Sequence, residues 1–208
     1  MCSSLSLNER KVGRAAFGLA LCAQSGCFQA ALPAAILCWV ELSTLKVRTI
    51  RGIKLLATDS HRQYDGIYRF VVKEPLDNHV FDKDKNPLGV LSTHPLGTFT
   101  SKPYVLEYKQ NVDALIQEFE NQEKQESDVD LVIAWEIGTE WKKRYSVTSL
   151  LDVENIQHRP VHGISHIFRD VNSGDIRFHA IILSELVDAL NDFDATEQTQ
   201  RLKYGDII

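Results

Sequence analysis

The chain has 208 residues, of which 44% are apolar and 25% charged, and its formal net charge is −5. That length suffices for one domain with a real core, or a domain with an appendage. The balance is ordinary for an α/β protein and excludes a chain that is basic overall.

The charge is nevertheless unevenly placed. Residues 43–73 carry Lys46, Arg48, Arg51, Lys54, Arg62, Arg69 and Lys73 against Asp59 and Asp65, while 113–130 carries seven acidic residues against Lys124. A basic face on a mildly acidic protein is compatible with nucleic-acid binding, although a charge run is more commonly a solvated surface. The cysteines (Cys2, Cys22, Cys27, Cys38) all precede residue 39 and match no zinc spacing, so we expect reduced thiols and a cytoplasmic chain.

In chain order, residues 1–43 come first, an Ala-rich segment expected to form one or two helices. Arg10, Lys11 and Arg14 precede its apolar part, so a signal peptide ending near Ala23 is the competing reading. Gln24, Ser25, Gly26, Gln29 and Pro33 divide it into pieces too short for a bilayer, and no membrane partner is expected. A main domain is expected over 44–193. It begins with β-rich 44–57 (Leu45, Val47, Ile50, Ile53, Leu55) and a second strand over 63–73. Polar 74–102, punctuated by Pro87, Gly89, Pro95 and Gly97, reads as a long loop, a kind of connection usually functional or mobile.

A strand follows, Pro103-Tyr104-Val105-Leu106-Glu107-Tyr108-Lys109. Residues two apart share a strand face, so Glu107 and Lys109 stand together and Tyr108 turns away. Asn111 is placed to cap a helix whose apolar stripe is Val112, Leu115, Ile116 and Phe119, with Gln117, Glu118 and Glu120 outside. The run from Val129 to Trp135 is almost continuously apolar, as in a strand buried on both faces. Strands at 144–151, 164–169 and 176–183 follow, the last two flanking the hairpin turn Asn172-Ser173-Gly174-Asp175. Ser184 is placed to cap a last helix with Leu186, Val187 and Leu190 inward, and 194–208 reads as a frayed tail. Trp135, Trp141 and Tyr145 read as core aromatics, with base stacking as the alternative.

The expected fold is thus α/β, a mixed sheet with helices on its faces. The order αβββαβ, with Tyr64-Asp65-Gly66 at the second core strand and Leu106-Glu107-Tyr108-Lys109-Gln110 on the third, resembles the restriction-endonuclease-like PD-(D/E)xK nucleases. The likeness runs over 44–151, departs from the family in having Tyr64 where a proline is usual, and extends loosely to nuclease domains of bacterial defence proteins. It implies a metal-dependent endonuclease acting on DNA, or on RNA. Asp65, Glu107 and the Tyr108 carbonyl would hold Mg²⁺ or Mn²⁺, hard cations that suit oxygen donors. Lys109 would polarise the attacking water, Gln110 would contact water or phosphate, and Glu9 or Glu41 are candidates for an added helical carboxylate. A homodimer and an ATPase partner are further implications.

Two other readings stand beside it. The first is a nuclease-fold binding or assembly module without cleavage, docking to an ATPase or nucleic acid. The second uses His158, His162 and His166, which recur every four residues; Pro160 and Gly163 argue against the helix that would align them as metal ligands. No Gly-rich phosphate loop or Gly-x-Ser-x-Gly elbow occurs, and Ser165 beside His166 does not make a triad.

Overall fold

The computed structural model of the protein describes residues 50–59, 63–92 and 97–205. The segment 1–43, with its expected helices, alternative leader, cysteines, Glu9 and Glu41, lies outside the described residues, as does the start of the first expected strand. No helix among the described residues is long and apolar enough to cross a membrane.

The chain is α/β and builds a mixed sheet. Its strands are β1 (Ile53–Thr58), β2 (Gly66–Val72), β3 (Phe99–Thr100), β4 (Tyr104–Asn111), β5 (Leu131–Glu136), β6 (Tyr145–Ser149), β7 (His166–Asp170) and β8 (Ile176–Ile182). They are ordered β1-β2-β4-β5-β8-β7-β6, with β3 paired to β2. The β4–β5 and β5–β8 pairs are parallel; the other pairs are antiparallel. Among the described residues, three helices pack on it: α1 (Val112–Glu120), α2 (Leu183–Asn191) and α3 (Phe193–Tyr204).

The central strands are apolar on both faces because both faces are covered. Val132, Ala134, Ala180 and Ile182 meet α1 through Val112, Leu115, Ile116 and Phe119, the stripe that the helical spacing predicts. The opposite face carries Leu106, Tyr108, Leu131, Ile133 and Ile181 against Leu186, Ala189 and Phe193. α1 starts as expected, the Asn111 side chain accepting the Asp113 amide at 2.8 Å. It ends where Gln122 takes a left-handed conformation with φ 60°, reversing the chain. Trp141 and Tyr145 are core residues, 1% and 0% exposed.

Three expectations are corrected. The described part of the 74–102 stretch is not a loose loop: Leu88 and Val90 are 1% and 2% exposed, and Val90 bonds through its amide to His79. Arg159, itself fully buried, ties this excursion to the sheet by donating to the carbonyls of Pro87, Gly89 and Leu150. The C-terminal stretch is not a tail but α3, capped by Asp192, with Thr196, Gln200 and Tyr204 buried. Beyond Phe193 its buried side chains are polar or amphipathic, and Gln200 and Tyr204 hydrogen-bond Glu185, so no apolar stripe announces it. Finally, Ser184 is not the cap of α2, which begins at Leu183 after Ile182; Glu185, Leu186 and Ala189 face inward, and Val187 and Leu190 are half-buried.

Candidate active site

Asp65 ends the bend that precedes β2, one residue short of the strand. Because β2 and β4 run antiparallel with Gly66 opposite Leu106, the register places Asp65 opposite Glu107. β2 therefore starts just where β4 still has amides to satisfy on that side. The Asp65 carboxylate takes one of them, its Oδ2 accepting the Tyr108 amide at 2.8 Å. In return the Asp65 amide donates to Glu107 Oε1 at 3.2 Å, closing a separation of 42 residues. The bend is held from outside by Tyr64, whose hydroxyl donates to Asp128 Oδ2 at 2.6 Å.

Glu107 is 0% exposed and stands on the α1 side of the sheet. Lys109, on the same face, lies with Nζ 3.4 Å from Glu107 Oε2 and 2.6 Å from Glu118 Oε1 of α1. A second lysine, Lys124, reaches Glu107 Oε2 in a short ion pair and Glu118 Oε2 at 3.1 Å. The reversal at Gln122 brings Lys124 back beneath the end of α1, where the Glu123 amide bonds the Glu118 carbonyl at 3.0 Å. The cluster thus holds three carboxylates (Asp65, Glu107, Glu118) and two ammonium groups.

Burial works against the charges of Glu107, Glu118 and Lys124, and the partners decide the balance. Burial raises the Glu107 carboxyl above its ordinary range; Lys124 and Lys109 pull it down, and Asp65 pushes it up. For Glu118 burial also raises, but the hydrogen bonds and charges of Lys109 and Lys124 prevail and hold it below the usual range. Burial alone would lower Lys124, yet Glu107 and Glu118 hold it above its ordinary value.

Asp65, Glu107 and Lys109 are therefore brought together, and Tyr108 adjoins them through its backbone while its ring enters the opposite core. Gln110 is not brought in: one residue beyond Lys109, the strand alternation turns it to the other face, where it is exposed. Glu118 and Lys124 escaped the sequence reading. The available signal was that Lys124 is the lone cation of an acidic run, and that Glu118 borders the apolar stripe of α1.

The three spaced histidines part company. His158 is exposed at the end of a short 3-10 turn. His162 is buried, its Nδ1 accepting the Arg51 amide at 3.2 Å and its Nε2 2.8 Å from Asn86 Oδ1. This arrangement requires a neutral ring, and burial, with Arg51, His79 and Arg159 nearby, pushes it down to about 3. His166 lies inside a separate polar core, with Nδ1 2.8 Å from Ser165 Oγ and Nε2 3.0 Å from Glu185 Oε2. Although Ser165, His166 and Glu185 are linked like a triad, Ser165 and His166 are 0% exposed. Ser165 Oγ also accepts the Ile182 amide, while Glu185 is held by Gln200, Lys203 and Tyr204, so these groups stitch α2 and α3 to the sheet. Among the described residues, no group of three or more His, Cys, Asp or Glu side chains is arranged to hold a metal ion.

Comparison with protein-family models, with curated proteins and with solved structures finds no match to this chain.

Proposed function

We propose that the chain is a metal-dependent phosphodiesterase of the restriction-endonuclease-like kind, hydrolysing DNA strands at the Asp65–Glu107–Lys109 cluster. The observation that carries the reading is the mutual bonding of Asp65 and Glu107 across β2 and β4, with Lys109 on the same face. The order of elements supports it: an antiparallel β1-β2-β4 meander, then α1, then β5 parallel to β4.

The donor set fits a hard divalent cation, since Asp65 and Glu107 present carboxylate oxygens beside the Tyr108 peptide. Asp65, Glu107 and the Tyr108 carbonyl would hold Mg²⁺ or Mn²⁺. When bound, that cation supplies a polarised water and neutralises phosphate charge. Lys109 contributes a fixed positive charge where negative charge develops on the phosphate oxygens. Glu118 positions Lys109 through the 2.6 Å contact and has no role of its own toward the phosphate.

One observation favours a second reading, a nuclease-fold binding module without cleavage. Glu107 is fully enclosed and both lysines already neutralise it, so the cluster also serves as a structural ion-pair network. Plasmid nicking with Mg²⁺ or Mn²⁺ decides between them. Cleavage by the wild type that is lost in Glu107→Ala and Lys109→Ala supports the enzyme. DNA binding without nicking in all three proteins supports the module, and equal nicking in all three rejects the site.

A further inference from the structure

Lys124 stands out because it occupies the one part of Glu107 that the backbone leaves open. Glu107 Oε1 already accepts the Asp65 amide, whereas the contacts of Oε2 are the two lysine ammonium groups. Both lysines converge on that oxygen, and they are not equivalent. Lys109 stands 3.4 Å away and is anchored on Glu118 at 2.6 Å. Lys124 makes the shorter contact with Oε2 and lies 3.1 Å from Glu118.

The two lysines also differ in what holds their backbones. Lys109 sits inside β4, paired to β5 opposite Ala134. Lys124 sits in the reversal after α1, whose neighbours Asn121, Gln122, Glu123 and Gln125 are exposed. A long side chain on such a turn leaves its site by bond rotation alone, without disturbing the sheet.

We propose that Lys124 is a displaceable internal counter-ion: its ammonium holds the cation position on Glu107, and a divalent metal enters only by expelling it. The proposal rests on the reading of the cluster as a metal centre. The exchange is electrostatically reasonable. Three carboxylates with two ammonium groups carry one net negative charge, whereas the same carboxylates with Lys109 and one dication are neutral. Lys124 thereby lowers the affinity for metal and keeps Glu107 paired in its absence.

The test is calorimetric titration of the full chain with Mn²⁺ alone, without nucleic acid. Wild type, Lys124→Met, Glu107→Gln and the double variant are compared, with circular dichroism to verify folding. The expected result is at least tenfold tighter Mn²⁺ binding by Lys124→Met, with binding lost in both proteins that carry Glu107→Gln. Lys124→Arg, which keeps the charge, stays at or below wild-type affinity. A gain in affinity is not what loss of a merely structural ion pair produces. Unchanged or weaker binding by Lys124→Met, with Glu107 still required, overturns the displacement proposal and leaves the metal centre standing. Binding that ignores Glu107→Gln, or no binding by any folded variant, overturns the metal centre itself and the proposal with it.

Discussion

Glu107 on β4 and Glu118 on the helix that follows share both of their cationic partners, Lys109 and Lys124. Strand, crossover helix and returning turn are thus joined at one polar point inside an otherwise apolar layer. Such a point is stable only while every member is paired, because a lone buried charge costs several kcal/mol.

Glu118→Gln removes the charge that anchors Lys109. The expected loss at neutral pH is about 1.5–3 kcal/mol, the range for hydrogen bonds to charged groups. The Glu118 carboxyl is held below its ordinary value of 4.5, so its contribution is present above that pH and is lost as pH falls through the folded value. Urea denaturation is therefore expected to show a gap between wild type and variant that narrows on acidification from neutrality to below about pH 4.5.

Gly138 lies between β5 and the 3-10 turn Glu140–Lys143 with φ 74°, and a Cβ there would collide with the Asn111 and Asp113 side chains. Asn111 caps α1, and Asp113 accepts the Thr139 and Glu140 amides. Gly138→Ala therefore combines backbone strain with loss of a cap, and about 2–4 kcal/mol of destabilisation is expected. Asn111→Ala, which removes the cap and an exposed hydrogen bond to Glu136 but adds no backbone strain, is expected to cost about 1 kcal/mol. Reversal of that order in thermal or urea unfolding would refute the assignment.

Gln122 pairs an exposed side chain with a left-handed backbone. Gln122→Gly is expected to be neutral or to stabilise by up to about 1 kcal/mol, since the strain relieved and the unfolded-state entropy gained by glycine oppose each other. Gln122→Val is expected to destabilise by about 1–2 kcal/mol. Both are read from the midpoints of urea curves with unchanged slope.

His162 gives a pH dependence of known sign. Its folded value is pushed down to about 3 from 6.5, so the unfolded chain takes up the proton first as pH falls. Stability therefore declines below about pH 6.5, by about 1.4 kcal/mol between roughly pH 7.5 and 5.5 from this residue. Burial also lowers His79 and His179, and they act in the same direction. His162→Gln is expected to remove about 1.4 kcal/mol of that decline; an unchanged slope would show that His162 is not the titrating group.

The legible and illegible parts of the molecule divide on physical grounds. α1, its Asn111 cap and β5 were readable because their signals are local: a stripe at helical spacing, a side chain beside the amide it accepts, an unbroken apolar run. The meeting of Asp65 and Glu107 was readable too, since Asp65 borders β2, Glu107 lies within β4, and the two strands pair. Lys124 was not, because its position depends on the dihedral angles of Gln122 rather than on any spacing. α3 escaped notice because Gln200 and Tyr204 are buried with hydrogen bonds to Glu185, which a hydrophobic pattern does not register. The histidine series behaves as Pro160 and Gly163 require: equal spacing along the chain does not gather the rings, and each lies in a different neighbourhood.

The anchoring of the 74–102 excursion by Arg159 sets where this chain tolerates interruption. Gly163 also donates to the Leu88 carbonyl at 2.9 Å, so residues 86–90 are stitched to two separate parts of the sheet's far side. A protease nick or an inserted peptide there would take the Pro87 and Gly89 carbonyls away from a guanidinium in the interior. The hairpin tip at Asn172 to Gly174, exposed and bonded mainly to itself, is the place to splice in a reporter or to break and rejoin the chain.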